Sequence, residues 1–370
     1  MLRPEVKELR WRDPPLGEIA TPRGKLRLTL SVGSGLTRRP GDPPGVVWGL
    51  GDRGPNIKVA TAIKRYGLDH LSALKDVKGA KVLPLPAFQP VIAELQVGPD
   101  RVSVIRTLPL RSPDGPLSGR APAGGPEAKM EPTFDLAGAP LDPDPAGVDP
   151  EGIAALADGG FWISEEYGPS LLRVDAEGLV RQRWTPVGLD LPGGQAVLPA
   201  AARDRRLNRG FEGLAVSADE RRLYVVFQSA RRGQAVGATS IWTLDARDGA
   251  LLADQSYPFD PPASFTADAA AGDVEADDLK VCELVCIGAD RLLVLERIIR
   301  SARIYAVDLS TPGTLAKTLV FSTDDHPQIA PDLEGVVALS DRELLIATDN
   351  DFGTEGAETR FYRITFATPF

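Results

Sequence analysis

Residues 151–166 read Glu-Gly-Ile-Ala-Ala-Leu-Ala-Asp-Gly-Gly-Phe-Trp-Ile-Ser-Glu-Glu. An acidic residue and a glycine lead into a short apolar run, an Asp-Gly-Gly turn reverses the chain, and a second apolar run returns to end on acid. That pattern is a β-hairpin with a buried second strand. The same shape recurs at Glu94-Leu95 with Asp100, Glu212-Gly213-Leu214 with Asp219, Glu283-Leu284-Val285 with Asp290, and Glu334-Gly335-Val336 with Asp341. The acid-to-Asp spacing is seven in every copy except the one at Glu94, where it is six. A weaker copy opens at Gly35-Leu36, with Asp42 seven residues on.

The returning strands are Val46–Trp48, Val102–Ile105, Phe161–Ile163, Leu223–Val226, Leu292–Leu295 and Leu344–Ala347. Copies start at 35, 94, 151, 212, 283 and 334, a period of about sixty residues. A repeat of that length with further strands in most copies suits a four-stranded propeller blade. The chain is therefore expected to be all-β, a six-bladed β-propeller, rather than a β-sandwich or two stacked β domains. The last copy has room for three strands only. The alternating segment Lys25–Ser31 is expected to supply its fourth and close the ring, which removes an exposed edge. On this division residues 1–24 are an N-terminal extension and 25–370 a single propeller domain. Residues 109–150, rich in Pro, Gly and Ala, read as an irregular loop over the rim. Gly54–Val82 carries Ile63, Leu68, Leu71, Leu74 and Val77 near helical spacing, which predicts a short inserted helix.

Over 370 residues the formal net charge is −9. An acidic chain argues against nucleic acid as a partner, because phosphate binding needs a basic face. No apolar run approaches the ~20 residues of a membrane span. The residues after Met1, Leu2-Arg3-Pro4-Glu5, do not read as a signal peptide, so a cytosolic protein and an exported one with its leader removed both stay open. The two cysteines, Cys282 and Cys286, stand about 13 Å apart if on one strand, too far for a disulfide. They read as small buried apolar residues.

In a hairpin, the residue entering the first strand lies opposite the one leaving the second. Radial blades bring that end of every hairpin to one mouth of the central channel. The expected mouth gathers Asp52, Glu94, Glu151, Glu165 or Glu166, Glu212, Glu283, Glu296, Glu334, Asp349 and Asp351. Carboxylates at close range must raise their pKa values, pair with arginine or bind cations. An all-oxygen set suits Ca2+, with Mg2+ second, and not zinc. The competing reading is that each buried Glu accepts backbone N–H groups from the next blade and holds the ring together. Arg53, Arg209 and Arg297 fall in or beside the same loops, where they would face a small anionic substrate or balance the acids. Arg53, Arg297 and Glu166 are assigned to catalysis, and Arg209 with Tyr167 to substrate binding. A monomer is expected.

Other motifs fail. There is no Gly-x-Ser-x-Gly, no Gly-x-x-x-x-Gly-Lys-Ser/Thr and no His-Glu-x-x-His. Gly49-Leu50-Gly51-Asp52-Arg53-Gly54 matches a dinucleotide fingerprint, but Pro55 follows it and no β-α alternation supports it. Asp324-Asp325-His326 reads as an exposed loop and His70 as a surface residue.

Seven stretches together resemble a known family: Gly-Leu-Gly-Asp-Arg-Gly-Pro (49–55), Asp-Pro-Glu-Gly-Ile-Ala-Ala-Leu (149–156), Phe-Trp-Ile-Ser-Glu-Glu-Tyr-Gly-Pro (161–169), Asn-Arg-Gly-Phe-Glu-Gly-Leu-Ala (208–215), Leu-Leu-Val-Leu-Glu-Arg (292–297), Leu-Glu-Gly-Val-Val-Ala-Leu (333–339) and Asp-Asn-Asp-Phe-Gly (349–353). They are similar to the phytase-like domain, the "esterase-like activity of phytase" family, from about residue 28 onward. The resemblance implies a propeller, export to the periplasm or outside the cell, and hydrolysis of phosphate or carboxylic esters with calcium.

Overall fold

In the computed structural model, which describes residues 3–122, 130–272 and 274–370, the chain is all-β and of propeller type. Five sheets of four or five strands carry the architecture. Blade one holds Gly35–Thr37, Val46–Leu50, Val91–Val97 and Val102–Pro109. Blade two holds Pro150–Ala155, Phe161–Glu165, Ser170–Val174 and Val180–Pro186, with Gly194–Leu198 added in parallel at its outer edge. Blade three holds Phe211–Val216, Arg222–Phe227, Ala238–Asp245 and Leu251–Pro258. Blade four holds Lys280–Gly288, Arg291–Arg297, Ala302–Asp308 and Lys317–Ser322. Blade five joins Leu333–Ala338, Glu343–Thr348 and Phe361–Thr365 to Glu5–Leu9.

The sequence expectation of six blades is corrected to five among the described residues. Glu94 does not open a blade; Val91–Val97 is the third strand of blade one, paired to Val46–Leu50. An insertion over residues 51–90 separates those two strands and stretches the blade to twice the usual period. Glu94 is consequently away from the mouth, paired with Arg106 at 2.6 Å.

The closing strand is also corrected. Glu5–Leu9 pairs with Phe361–Thr365, Leu9 opposite Phe361, so residues 1–24 are not a separate extension. Lys25–Ser31 goes elsewhere: Gly24–Thr29 forms a hairpin with Pro15–Thr21. Its buried Leu26 and Leu28 pack on the inserted helix Val59–Tyr66, through Val59, Ala62, Ile63 and Tyr66. The Glu-Val-Lys-Glu-Leu strand is mostly exposed, as an outermost strand can be, so apolar alternation did not mark it. The stretch 109–150 is largely irregular where described, and its residues 123–129 lie outside the described set.

Side-chain alternation explains why the second strands read as unbroken apolar runs. Successive residues face opposite neighbours. Trp162 packs toward blade three and Ile163 toward blade one; Leu293 faces blade five and Val294 blade three. Five apolar clusters fill the five gaps between blades, and the one joining Val337, Leu345 and Ala347 to Val47, Ala93 and Leu95 closes the circle.

Glycine lets the inner strands approach. A Cβ on Gly35, Gly152 or Gly213 would stand 2.6, 2.4 or 2.7 Å from the backbone of the next blade. Blade four carries Glu283 at this step, one residue out of line with the sequence alignment. Leu333 faces Thr348, Phe211 faces Phe227 and Val281 faces Glu296, so Cys282 is the counterpart of Glu212 and Glu334.

Candidate active site at the mouth of the ring

One end of the ring opens into a cavity of about 380 Å³. Each blade contributes the residue just after, or ending, its second strand: Asp52, Glu166, Gln228, Arg297 and Asp349. Glu151, Glu212 and Glu334 enter from the first strands, and Ser34 and Cys282 hold the corresponding positions in blades one and four. Asn208, Lys280, Asp332 and Asp351 come from adjoining loops and strand starts. The inserted segment supplies Asn56, Lys58 and Lys81 to the rim. Nine carboxylates line the cavity against five Lys and Arg side chains, which makes it a cation-attracting site with a few fixed positive groups.

The acids lie close enough to disturb one another. Burial, then Glu212, holds the Glu151 carboxyl well above the usual range. Burial, then Glu166 and Glu334, does the same for Glu212, and burial, then Glu334 and Asp351, for Asp349. Asp52 is raised by burial and by Asp149 and Asp349. Glu166 is pushed up to about 8, chiefly by burial and next by Asp149. It accepts from the Gly210 N–H at 3.2 Å; the Asn208 amide, oriented nitrogen-inward, donates to it at 3.1 Å. Oxygens of Asp149, Glu151 and Glu166 fall within 4.8 Å of one another, as do ligand atoms of Glu212, Cys282 and Glu334.

Of the acids expected here, Asp52, Glu151, Glu166, Glu212, Glu334, Asp349 and Asp351 are brought together. Glu165, Glu283 and Glu296 are not. Glu165 is fully buried beneath the cavity floor and accepts from the N–H groups of Asp149, Tyr167 and Gly168 and from Ser170 Oγ. Glu296, its counterpart in blade four, accepts from Tyr257 Oη at 2.8 Å, the Asp260 N–H at 2.9 Å and Lys317 at 2.6 Å. Strand alternation turns one acid of each adjacent pair away, and in both blades it is the earlier residue. Glu283 lies amid the inner strands and accepts from the Leu36 N–H at 2.9 Å and the Leu284 N–H at 3.0 Å. These three carboxylates lie outside the cavity and are engaged by donors: Glu165 braces the end of blade two, while Glu283 and Glu296 tie blade four to blades one and three.

Among the basic residues, Arg297 faces the cavity. It pairs with Asp332 at 2.8 Å and with Glu334, and its Nε donates to Cys282 Sγ at 3.1 Å. Arg53 also lines the cavity and is as buried as Arg297, held by Glu131 at 2.8 Å, Asp149 at 3.3 Å and Tyr167 Oη at 2.9 Å. Tyr167 is buried behind it and does not line the cavity. Arg209 clips the Asp277 and Leu279 carbonyls of the neighbouring segment, outside the cavity. Asp149, Asn208, Lys280 and Asp332 were missed from sequence. The Asp-x-Glu spacing common to Asp149-Pro150-Glu151 and Asp332-Leu333-Glu334 was the available signal for two of them.

The phytase-like family model, described as esterase-like activity of phytase, matches residues 31–352. The chain belongs to this family. Within curated proteins, an uncharacterized secreted protein of Arthroderma benhamiae is 30% identical over 224 residues, 50% of this chain and 40% of that protein. This member thus spans less than half the length of that relative. Solved structures of propeller type are similar at low identity. They include the PQQ-bound aldose sugar dehydrogenase of Streptomyces coelicolor (12% identity, 98% of each chain, TM-score 0.39). The Malassezia sympodialis allergen Mala s 1 also matches (11% identity, 98% of this chain and 96% of that one, TM-score 0.40). No helix among the described residues is long and apolar enough to cross a membrane.

Proposed function

We propose that this family member is a metal-assisted ester hydrolase acting on phosphate esters at the mouth cavity. The observation that carries this reading is the nine-to-five excess of carboxylates over basic groups, with Glu212 Oε2 buried and without a donor among the described residues. An all-oxygen set of this kind fits Ca2+, and Mg2+ second. Asp52, Glu151, Glu212, Glu334, Asp349 and Asp351 are the residues that would hold it. When bound, such a cation polarises a phosphoryl oxygen and lowers the pKa of water.

The chain's own residues supply the rest. Lys58, Lys81, Lys280 and Arg297 draw a small anionic substrate toward an otherwise acidic mouth. Arg297, fixed by Asp332 and Glu334, steadies developing negative charge. Glu166, pushed up to about 8 by burial and then by Asp149, takes a proton from water. Arg53 and Tyr167 support the wall behind these groups. A second reading, a binding propeller without turnover, is favoured by the same Arg53–Tyr167 pair, in which one guanidinium nitrogen and the phenol O–H are already engaged. We also propose a monomer exported from the cytoplasm, in keeping with the secreted relative.

The test is metal analysis of purified protein, followed by a screen of phosphomonoesters, phosphodiesters and carboxylic esters with calcium or chelator. Calcium is expected to raise the melting temperature, since it binds only the folded state, and chelator to reverse the shift. Calcium binding without turnover on any ester class would select the second reading. Indifference to both additions would remove the calcium site.

A further inference from the structure

Blades one and four depart from the others at the inner ring of the mouth, with Ser34 in blade one. Where blades two, three and five place Glu151, Glu212 and Glu334, blade four places Cys282, which is 1% exposed. Ligand atoms of Glu212, Cys282 and Glu334 lie within 4.8 Å of one another. A second observation points to a ligand here. Glu212 is 2% exposed; Gln228 Nε2 donates to its Oε1 at 2.7 Å, while Oε2 has no donor among the described residues. A buried carboxylate oxygen left unpartnered is costly unless a cation meets it.

We propose that Glu212 and Glu334, two of the residues assigned to calcium above, form with Cys282 a subsite at which a thiophilic divalent ion, zinc or cadmium, competes with calcium. Thiolate ligands select such ions, whereas calcium prefers oxygen. Three protein ligands with a fourth position open to water is a common zinc arrangement. Ligand atoms around zinc stand about 3.5 Å apart, so small side-chain rotations bring the three atoms into range. Arg297 stands beside the subsite, with Nε donating to Cys282 Sγ at 3.1 Å and the guanidinium paired to Glu334. Glu212, Cys282, Glu334 and Asp332 face two cations, Arg297 and Lys280, which leaves two negative charges for a divalent ion. When the ion binds, the thiol proton passes to solvent, the S–H bond is replaced by a metal–sulfur bond, and no electrons are transferred. Arg297 keeps its bond to Asp332 and acts as the outer partner that orients the sulfur.

The subsite does not rest on the hydrolase reading, because its signal is read without calcium and without turnover. The test is cadmium titration of the intact chain, following thiolate-to-metal absorption in the ultraviolet and bound metal by equilibrium dialysis. Wild-type protein and Cys286→Ser are expected to develop the absorption with one ion per chain. Cys282→Ser, verified as folded by circular dichroism, should lose the absorption and bind cadmium about tenfold or more weakly, with its calcium response unchanged. Glu212→Gln should weaken cadmium binding while keeping the absorption. Absorption that vanishes in Cys286→Ser, or cadmium binding untouched by Cys282→Ser, would overturn the assignment.

Discussion

Glu283→Gly gives a direct measure of how the centre of the ring is held. The substitution copies the residue that the other blades carry at this step, so it adds no steric conflict. It removes the acceptor of the Leu36 and Leu284 N–H groups, 2.9 and 3.0 Å away. Each buried donor left without a partner costs about 1–3 kcal/mol, and glycine in a strand adds about 0.5–1 kcal/mol. Relief from burying a carboxylate offsets part of this sum, leaving an expected loss of about 3–5 kcal/mol. Guanidinium unfolding followed by tryptophan fluorescence reads it as a lower midpoint with unchanged slope. Formate, small enough for the vacated space, should recover part of the loss, and Glu283→Gln should fall between the two. A loss under about 1 kcal/mol would mean that the inner strands do not depend on this carboxylate, and the reasoning would fail.

Stability without added cation should fall as pH rises from 4.5 toward about 8, because the unfolded chain releases the Glu166 proton at the lower value and the folded chain at the higher. Melting curves across that window should slope downward; Glu166→Gln should flatten them, and a flat wild-type profile would contradict the raised pKa. Arg297→Ala should cost about 2–3 kcal/mol of stability, less than a fully buried pair because Asp332 is half in solvent. Chemical denaturation reads this directly, and an unchanged midpoint with hydrolysis abolished would instead favour a purely catalytic role. Gly152→Ala places a methyl group 2.4 Å from the Glu212 carbonyl oxygen, and should lower stability by about 1–3 kcal/mol in the same measurement.

The repeat was legible because each blade writes the same hairpin, and its turns and apolar runs follow from local chemistry. The number of blades was not. Val91–Val97 carries an acid and a following Asp like a blade opening, and only the paired structure shows it as a third strand behind an insertion. The convergence of acids on one mouth was legible from hairpin geometry. The choice within Glu165-Glu166 and Glu296-Arg297 was not, because alternation says that one residue turns inward without saying which. Cys282 was hidden by a coincidence: Glu283 keeps the seven-residue spacing to Asp290 although it stands one step out of register.

The pairing of Glu5–Leu9 with Phe361–Thr365 has a consequence for synthesis on the ribosome. Blades one to four draw their strands from contiguous stretches and can form as they emerge. The fifth cannot, since its outermost strand is made before blade one and its partner after blade four. A nascent chain therefore carries Glu5–Leu9 unpaired until Phe361–Thr365 has been translated. Contacts of such sequence separation form slowly, and the partly built ring exposes the edge of blade one to other chains meanwhile. The charged, half-polar makeup of Glu-Val-Lys-Glu-Leu suits a strand that must wait in solvent without pairing with the wrong neighbour.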